Sequence, residues 1–513
     1  METVCEPCWT CRNRRIQCDQ SGTPCAKCEK AGMECFDKRP LRWVKGVAIR
    51  GKMQGRTHEG ISNGSPMHTS RITKSALSTP KNSHRALVQA SASSRGLPVT
   101  LQDPSMSNLD QISKYYIDYC KIYNERICKL FVVYDSARNP FRSLISFGLK
   151  DPVLQKGILA LAARHRANTG QPFHQLQAPT STLIDANRDA LLFKHQAMEA
   201  LSRVLGDGTI AKSDTTVASI FLLIFLDLLE FGSDGWNFHL EGAKGLIASH
   251  RPLLEAQAGV NNGPGQTVQE IWGFISNQIH LIETLGATFL RPKVLSEFIS
   301  NGRAERQTRE EIERSFLGCP EFLLSAIQFL SNERDAIAGE LPDGAALQTH
   351  IQDTTAMLEL IQNFDCYAWV LSLQRSRQSS IDEINNLCIL SQTFKTGALI
   401  YGRRVLDALM ETITEQDDLV SELLGLIANL KDDEALFKCV LWAIFVAGLE
   451  CRSQAQKDFL VESLEKFWTE TSCSNVITAA KILKDYWDQY EGLETSSRWI
   501  FDIGRLGRDC LLI

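Results

Sequence analysis

The stretch CWTCRNRRIQC occupies residues 8–18, and the stretch CAKCEKAGMEC occupies residues 25–35. Both have the spacing Cys-x2-Cys-x6-Cys, so one unit occurs twice in the first part of the chain. Two cysteines three residues apart lie on one face of a helical turn and can bind one metal ion together. Six further residues allow the chain to return a third thiolate. The repeat therefore predicts a metal site built from Cys8, Cys11, Cys18, Cys25, Cys28 and Cys35.

The number of thiolates limits how metal can be bound. Six are too few for two separate tetrahedral zinc ions, which need eight ligands, but two ions reach four-coordination if two sulfurs bridge them. A segment this short with so few apolar residues cannot build its own core. Metal must then supply the folding energy, roughly 10–16 kcal/mol for a structural zinc site. We expect this head to be unfolded without metal.

The other cysteines bear on the alternatives. Of the 16 cysteines, seven lie in the first 35 residues, and the nine in the remainder form no Cys-x2-Cys pair. Disulfides, or unrelated core cysteines, would not account for the equal spacing, and reduced intracellular thiols fit the crowding at one end. Cys5 also stands three residues before Cys8, so a shifted ligand set is conceivable. It would break the equal spacing, and we interpret Cys5 as a non-ligand.

The charge is unevenly distributed along the chain. Residues 1–107 hold 17 lysines and arginines against 8 acidic residues, a net charge of +9. The remainder holds 38 basic against 52 acidic residues, a net charge of −14. A basic head on an acidic body indicates that only the head meets a polyanion.

Three segments follow from composition: a cysteine-rich head at residues 5–36, a linker at 37–107 and a body at 108–513. The linker is rich in Ser, Thr, Gly and Pro and poor in aromatic residues, which predicts disorder. Its start, residues 41–56, interleaves Arg and Lys with Trp43. This stretch could follow a phosphate backbone, serve as a nuclear import signal or be only a charged tether.

The body has apolar residues at helical spacing and few strand patterns, so the fold class is predicted as mainly α. Pro152 suits the first turn of a helix over the apolar residues that follow it. The richest apolar run, Val217 to Leu229, is too short to span a membrane and is broken by Asp227. It predicts a buried helix, and no stretch of the chain reaches the roughly 20 apolar residues of a membrane span.

The head resembles the fungal binuclear zinc cluster of transcription factors, both in its six cysteines and in the basic segment between the second and third. The resemblance implies two zinc ions, bridged by Cys8 and Cys25. It also implies that the basic segment reads CGG triplets of double-stranded DNA in the major groove. Gln17 stands where the family usually has lysine, which puts one phosphate contact in doubt. Pro24 directly precedes Cys25, where the family usually has one residue between.

The chemistry of guanine agrees with that carry-over, because its adjacent O6 and N7 acceptors suit a cationic donor. Arg15 is our candidate for the base contact, and Arg14 is expected to assist, partly through its backbone carbonyl. Arg12 and Lys27 are expected to touch phosphates and position the head. For each of these cations the alternative is counter-charge to the cluster.

The body resembles the second of the two large fungal-specific regulatory domains found behind such clusters. The resemblance rests on residues 132–135 with 139–142, 158–165, 236–243 and 445–450. It implies an all-helical regulatory domain of a nuclear transcription regulator that works with the transcription machinery. Such regulators often control metabolic or secondary-metabolite gene clusters, and a pathway-specific role is the expectation here.

Two other function classes were weighed: a helical enzyme and a protein-interaction module, each carrying the zinc head for targeting. The candidate catalytic groups His165, His195, His239 and Glu241 are lone residues in helical patterns, so no enzyme is predicted. A homodimer is a further expectation. Residues 112–130 partly fit a heptad, which Arg126 breaks, and we interpret them as the first helix of the body. The protein would then bind DNA either as a monomer or as a dimer formed through the body.

Overall fold

Helices are the regular elements of the described chain in this computed structural model, which contains no β-strand within those residues. The structure describes residues 8, 10–11, 14, 16–19, 24–31, 35–36, 109–173, 181–206, 214–230, 235–257, 265–290, 308–338, 344–373, 380–489, 499–506 and 509–513. The chain divides into two units, Met1–Leu97 and Pro98–Ile513. The predicted linker at 37–107 lies outside the described residues, as do Cys5, Arg12 and Arg15.

Twenty α-helices and one π-helical turn, Tyr123–Ile127, are assigned within these ranges. The α-helices are α1 Ala26–Lys30, α2 Leu109–Ile122, α3 Cys128–Leu130, α4 Pro140–Gly148, α5 Pro152–Asn168, α6 Ser181–Gly206, α7 Asp214–Glu230, α8 Trp236–Gln257, α9 Gly265–Ala287, α10 Arg309–Arg314, α11 Glu321–Ile337, α12 Gly344–Gln362, α13 Cys366–Ser372, α14 Ile381–Met410, α15 Asp417–Leu430, α16 Glu434–Phe437, α17 Leu441–Glu450, α18 Gln454–Thr471, α19 Asn475–Gln489 and α20 Trp499–Leu506.

Helix α5 organises the first half of the body. Its start confirms the role predicted for Pro152, which stands at the first helical positions behind Asp151. The Asp151 carboxylate accepts hydrogen bonds from the backbone N–H groups of Val153 and Leu154, which otherwise lack partners at a helix start. The helix packs against α2, α4, α6 and α7. Every residue from 217 to 229 of α7 is buried, as its apolar run predicted.

Helix α14, with 30 residues, organises the second half. It packs against α11, α12, α13 and α15, and against α17, in which all ten residues are buried. Close approach between α14 and α17 depends on Gly397, because a Cβ there would lie 2.6 Å from the Trp442 ring. The absence of a side chain at Gly397 makes room for that ring.

The two halves share one hydrophobic core that runs from Tyr119 to Ile513. Asn168, at the end of α5, donates through Nδ2 to the carbonyl oxygens of Leu229 and Ser472, at 2.6 and 2.9 Å. The Trp236 indole donates to the carbonyl of Asp509 at 2.7 Å. Contacts between residues some 300 positions apart therefore hold the body together as one unit.

The start of the body agrees with the prediction of a first helix there. Tyr119, Tyr123 and Leu130 are buried in the body's own core. The sequence did not predict the π-helical turn that follows α2, which adds a residue to one turn of the helix. None of the described helices is long and apolar enough to cross a membrane.

Candidate metal centre

Four thiols meet at the centre of the head. Cys8, Cys11, Cys25 and Cys28 are buried, while Cys18 and Cys35 are half-buried at the edge of the group. The sulfurs of Cys8 and Cys25 are 3.8 Å apart. The Cys11 sulfur lies 3.7 Å from that of Cys25, and the Cys28 sulfur lies 3.9 Å from that of Cys8. In a tetrahedral site with Zn–S bonds of about 2.3 Å, the sulfurs lie about 3.8 Å from one another. The spacing of these thiols therefore suits tetrahedral zinc.

The six sulfurs form two overlapping groups of four. One group contains Cys8, Cys11, Cys18 and Cys25, and the other contains Cys8, Cys25, Cys28 and Cys35. Within each group all sulfurs lie within 4.8 Å of one another, and Cys8 and Cys25 belong to both. Two tetrahedra that share an edge need six ligands, which is the number available. The six cysteines are thus positioned to bind two zinc ions.

Backbone contacts hold the thiols in place. The N–H of Cys11 points to the Cys8 sulfur at 3.4 Å, and the N–H of Cys25 points to the Cys35 sulfur at 3.5 Å. The Thr10 hydroxyl accepts a hydrogen bond from the N–H of Phe36 at 3.1 Å, which closes the head into a loop. Nothing in the cysteine spacing singles out Thr10. Its contact with Phe36 is apparent only in the folded head, where residues 10 and 36 lie side by side.

The surroundings lower the pKa of the two shared thiols, Cys8 and Cys25, and raise the pKa of Cys11 and Cys28. The backbone N–H of Cys11 lowers the pKa of Cys8. Burial acts to raise the pKa of Cys25, but backbone and thiol hydrogen bonds outweigh it, and that pKa is also lowered. Burial raises the pKa of Cys11, and it raises that of Cys28 to about 12. Since zinc binds the thiolate, the positive charge of the metal must displace these protons.

Two of the four predicted DNA-contacting residues can be placed. Arg14 is exposed, and its backbone N–H bonds to the Thr10 carbonyl at 3.2 Å. Lys27 is exposed on α1, the helix that begins directly after Cys25. Arg12 and Arg15 lie outside the described residues. The two cations that are described therefore stand on the outside of the head, within three positions of the buried thiols.

The stretches on which the family resemblance of the body rests form contacts that stabilise the fold. The Asn139 side chain accepts from the N–H of Phe141 and donates to the carbonyl of Cys128 at 2.6 Å. Arg142 donates to Asp135 at 2.5 Å and to the backbone of Asn124 at 2.9 Å. These contacts fix the loop between α3 and α4 beneath the π-helical turn. Residues 236–243 begin α8, and residues 445–450 end α17.

The four candidate catalytic groups are not brought together. His165 is buried with its Nδ1 3.3 Å from the Thr169 hydroxyl, at the wall of a cavity of about 1190 Å³. His239 lies 3.7 Å from Asp227, and Glu241 binds Lys244 at 2.7 Å. His195 is exposed on α6. Burial lowers the pKa of both His165 and His239 to about 4, with smaller contributions from Arg126 and Lys194 respectively.

Two family models of known proteins match this chain, one over the head and one over the body. The family model of the fungal Zn(2)-Cys(6) binuclear cluster domain matches residues 6–43. The model of the fungal specific transcription factor domain matches residues 118–513. No solved structure matches the chain significantly.

Two relatives are informative. The acriflavine sensitivity control protein acr-2 of Neurospora crassa is 24% identical, over 94% of this chain and 91% of its own length. The ustiloxin B cluster transcription factor ustR of Aspergillus flavus is 30% identical, over 18% of this chain and 16% of its own. Both family models and the sulfur geometry lead to one conclusion: the chain belongs to the fungal transcription factors that join a binuclear zinc cluster to a fungal specific transcription factor domain.

Proposed function

We propose that this protein is a zinc-dependent, sequence-specific regulator of genes transcribed by RNA polymerase II. It reads CGG-type triplets in the major groove of double-stranded DNA. The observation that carries the proposal is the pair of sulfur groups that share Cys8 and Cys25, beside the exposed cations Arg14 and Lys27. With zinc bound, a site of this kind would give a short cationic peptide one fixed shape, which recognition of a base edge requires.

The six cysteines and four of the cations of the head have distinct roles in this proposal. Cys8 and Cys25 would hold both zinc ions, Cys11 and Cys18 would complete one ligand set, and Cys28 and Cys35 would complete the other. When bound, zinc would supply the folding energy of the head. Arg15 donates to O6 and N7 of guanine, assisted by Arg14. Arg12 and Lys27 contact phosphates, which fixes the register of the head on the duplex.

The body acts as the regulatory domain, and the protein is no enzyme in this proposal. The separate, individually bonded positions of His165, His239 and Glu241 support that view. Because it acts on DNA together with the transcription machinery in this proposal, the protein works in the nucleus. A role in one pathway, of the kind that controls a secondary-metabolite gene cluster, is supported by the similarity to the ustiloxin B cluster transcription factor. We also propose a homodimer, in which each body brings one head to the DNA.

The test is an electrophoretic shift of a CGG-containing duplex by the full-length protein. The controls are a duplex with scrambled triplets and a sample treated with a zinc chelator. We expect a shift with the CGG duplex alone, loss of the shift after chelation and recovery on addition of zinc. Binding should also fall steeply with salt, because phosphate contacts release counterions. Equal binding to both duplexes would contradict sequence-specific recognition, and binding that survives chelation would contradict the role of zinc.

A further inference from the structure

Helix α6 exposes four large apolar side chains at an even interval. Ile184, Leu191, Met198 and Leu205 are each seven residues apart, and between 40% and 58% of each is exposed. We call these four residues the α6 stripe. Single exposed apolar residues are ordinary on a protein surface, whereas four that recur along one side of one helix call for an explanation. Because seven residues make two helical turns, the α6 stripe lies along one side of the helix for about 31 Å.

The opposite side of α6 is held by the body. Ala186, Ala190 and Ala197 are buried, and α6 packs along its length against α5. The Asp189 carboxylate accepts a hydrogen bond from the Tyr119 hydroxyl at 2.8 Å, which fixes the rotation of the helix. The α6 stripe therefore cannot turn inward. Helices that pack along one another repeat their apolar contacts every seven residues, and the α6 stripe supplies one such position in each heptad.

We propose that the α6 stripe is the surface through which a second copy of this chain binds, with the two α6 helices antiparallel. The inference rests on the homodimer proposed above and names its interface. A twofold axis between Leu191 and Met198 places each of them opposite the other in the partner subunit. The same axis places Ile184 opposite Leu205 of the partner subunit. All four side chains then bury one another in a closed pair.

The charges beside the α6 stripe indicate whether the two α6 helices pair in parallel or antiparallel. Arg188 stands four residues after Ile184, and Glu199 stands one residue after Met198, on the same flank of the helix. In the antiparallel pair Arg188 faces Glu199 of the partner subunit, and symmetry makes this contact twice. In a parallel pair the flank that carries Arg188 and Glu199 would lie on opposite sides of the contact in the two copies, so these charges would not meet. Complementary charge thus favours a second, antiparallel copy.

These charges are available for exchange. In the single chain Arg188 lies 3.4 Å from Asp185, and Glu199 is bound by Arg203, both along the exposed surface of α6. Ion pairs of this kind contribute little to stability and can be replaced at small cost. The area is modest, because one helix face of about 31 Å by roughly 10 Å is smaller than the about 800 Å² per partner of a standard interface. The dimer should therefore depend on concentration.

The first test is sedimentation equilibrium of the full-length, zinc-loaded protein and its Leu191→Glu variant. A twofold interface loses both copies of the substituted contact, so we expect the dimer dissociation constant to rise about tenfold or more. The matched control is Ile381→Glu, which puts the same charge on another exposed apolar residue of the body. It should leave the constant unchanged. Circular dichroism checks that both variants keep their helix content.

The second test distinguishes direction by exchanging charges. Arg188→Glu and Glu199→Arg should each weaken the dimer several-fold, and the double variant Arg188→Glu/Glu199→Arg should recover it. Recovery supports the antiparallel pair, whereas single variants that do not weaken the dimer would overturn it.

The outcomes separate the interface from the rest of the proposal. A wild-type dimer unaffected by Leu191→Glu would refute the α6 stripe and leave the homodimer standing. A wild-type protein that stays monomeric at every concentration would refute both. Neither result bears on CGG recognition, which is measured separately by the electrophoretic shift.

Discussion

The guanidinium of Arg404 donates from Nε and Nη2 to both carboxylate oxygens of Glu450, at 2.6 and 2.5 Å, in the interior of the body. Its Nη1 donates to Asp407 at 2.6 Å and to the carbonyl of Thr414 at 2.8 Å. The Trp499 indole also donates to Glu450, at 2.6 Å. One buried arginine thereby joins α14, α17 and α20.

Arg404→Leu should severely destabilise the body. It leaves the carboxylates of Glu450 and Asp407 buried without their cation, and breaking a buried ion pair costs about 3–5 kcal/mol. Urea unfolding of the full-length protein, followed by tryptophan fluorescence, measures the change. The control is Arg452→Leu, which removes exposed contacts to Glu415 and Asp417 and should cost at most about 1 kcal/mol. Equal losses for the two variants would contradict a special role for the buried pair.

Two helical glycines should respond to alanine in opposite directions. At Gly397 the new Cβ would lie 2.6 Å from the buried ring of Trp442. We expect Gly397→Ala to destabilise by about 1–3 kcal/mol, as overpacking does. At Gly425 a Cβ would meet nothing within 4 Å, so Gly425→Ala should stabilise the helix by about 0.5–1 kcal/mol. Thermal unfolding of both variants tests the pair, and the same sign for both would refute the packing argument.

The stability of the body should fall as the pH drops from about 6.5 to 4, partly through His165. Burial lowers the pKa of His165 to about 4, so the folded chain binds a proton less readily than the unfolded chain. The contribution is therefore complete above pH 6.5 and is lost as the pH falls through that range. At its steepest, one such group contributes a slope of about 1.4 kcal/mol per pH unit.

His165→Gln should flatten this part of the pH profile, measured by urea unfolding at several pH values. The exposed His195 provides the matched variant His195→Gln, which should keep the wild-type slope. An unchanged slope in His165→Gln would show that other groups account for the loss of stability in acid.

Loss of a shared thiol should differ from loss of an unshared one. Cys8 belongs to both sulfur groups, whereas Cys18 belongs to one. Cys8→Ala leaves neither ion with four thiolates, so elemental analysis should find neither zinc retained. Cys18→Ala should retain about one, because the second group keeps all four ligands. Cys120→Ala, in the body, should keep two. Equal zinc loss in Cys8→Ala and Cys18→Ala would contradict the bridging assignment.

Arg15 and Lys27 should affect DNA binding in different ways. Arg15→Ala should weaken binding to the CGG duplex by about 1–3 kcal/mol and relax the preference for guanine, because it removes a base contact. Lys27→Ala should weaken all duplexes alike and lower the salt slope by about one. Competition shifts with duplexes changed at single base pairs measure both effects. If Arg15→Ala weakened every duplex equally, Arg15 would be a phosphate contact.

The sequence predicted what local patterns can encode. The repeated cysteine spacing predicted a site for two metal ions, the proline at position 152 predicted a helix start, and the apolar run from Val217 predicted a buried helix. These features depend on residues that are neighbours along the chain. The assignment of Cys8 and Cys25 as bridges came from the family resemblance, because the two halves of the repeat have the same spacing.

The rest depends on contacts that only the folded chain creates. Nothing near Arg404 in sequence indicates a contact with Glu450, which is 46 residues away. No pattern of residue types marks the π-helical turn in the sequence. The interval between Leu191 and Met198 was visible in the sequence. Periodicity alone does not tell a buried helix face from an exposed one. The α6 stripe could therefore be recognised only from the exposure of each side chain in the structure.

Asn168 has a consequence for how the protein is made. Its side chain is satisfied only when Leu229 and Ser472 are both in place, on segments that leave the ribosome far apart in time. The first helices of the body therefore lack the contact to Ser472 until nearly the whole chain has been synthesised. Such delayed closure is typical of slow folding and of chains that need protection from aggregation during translation. Contacts between partners so distant in sequence raise the contact order of the body and so act to slow its folding.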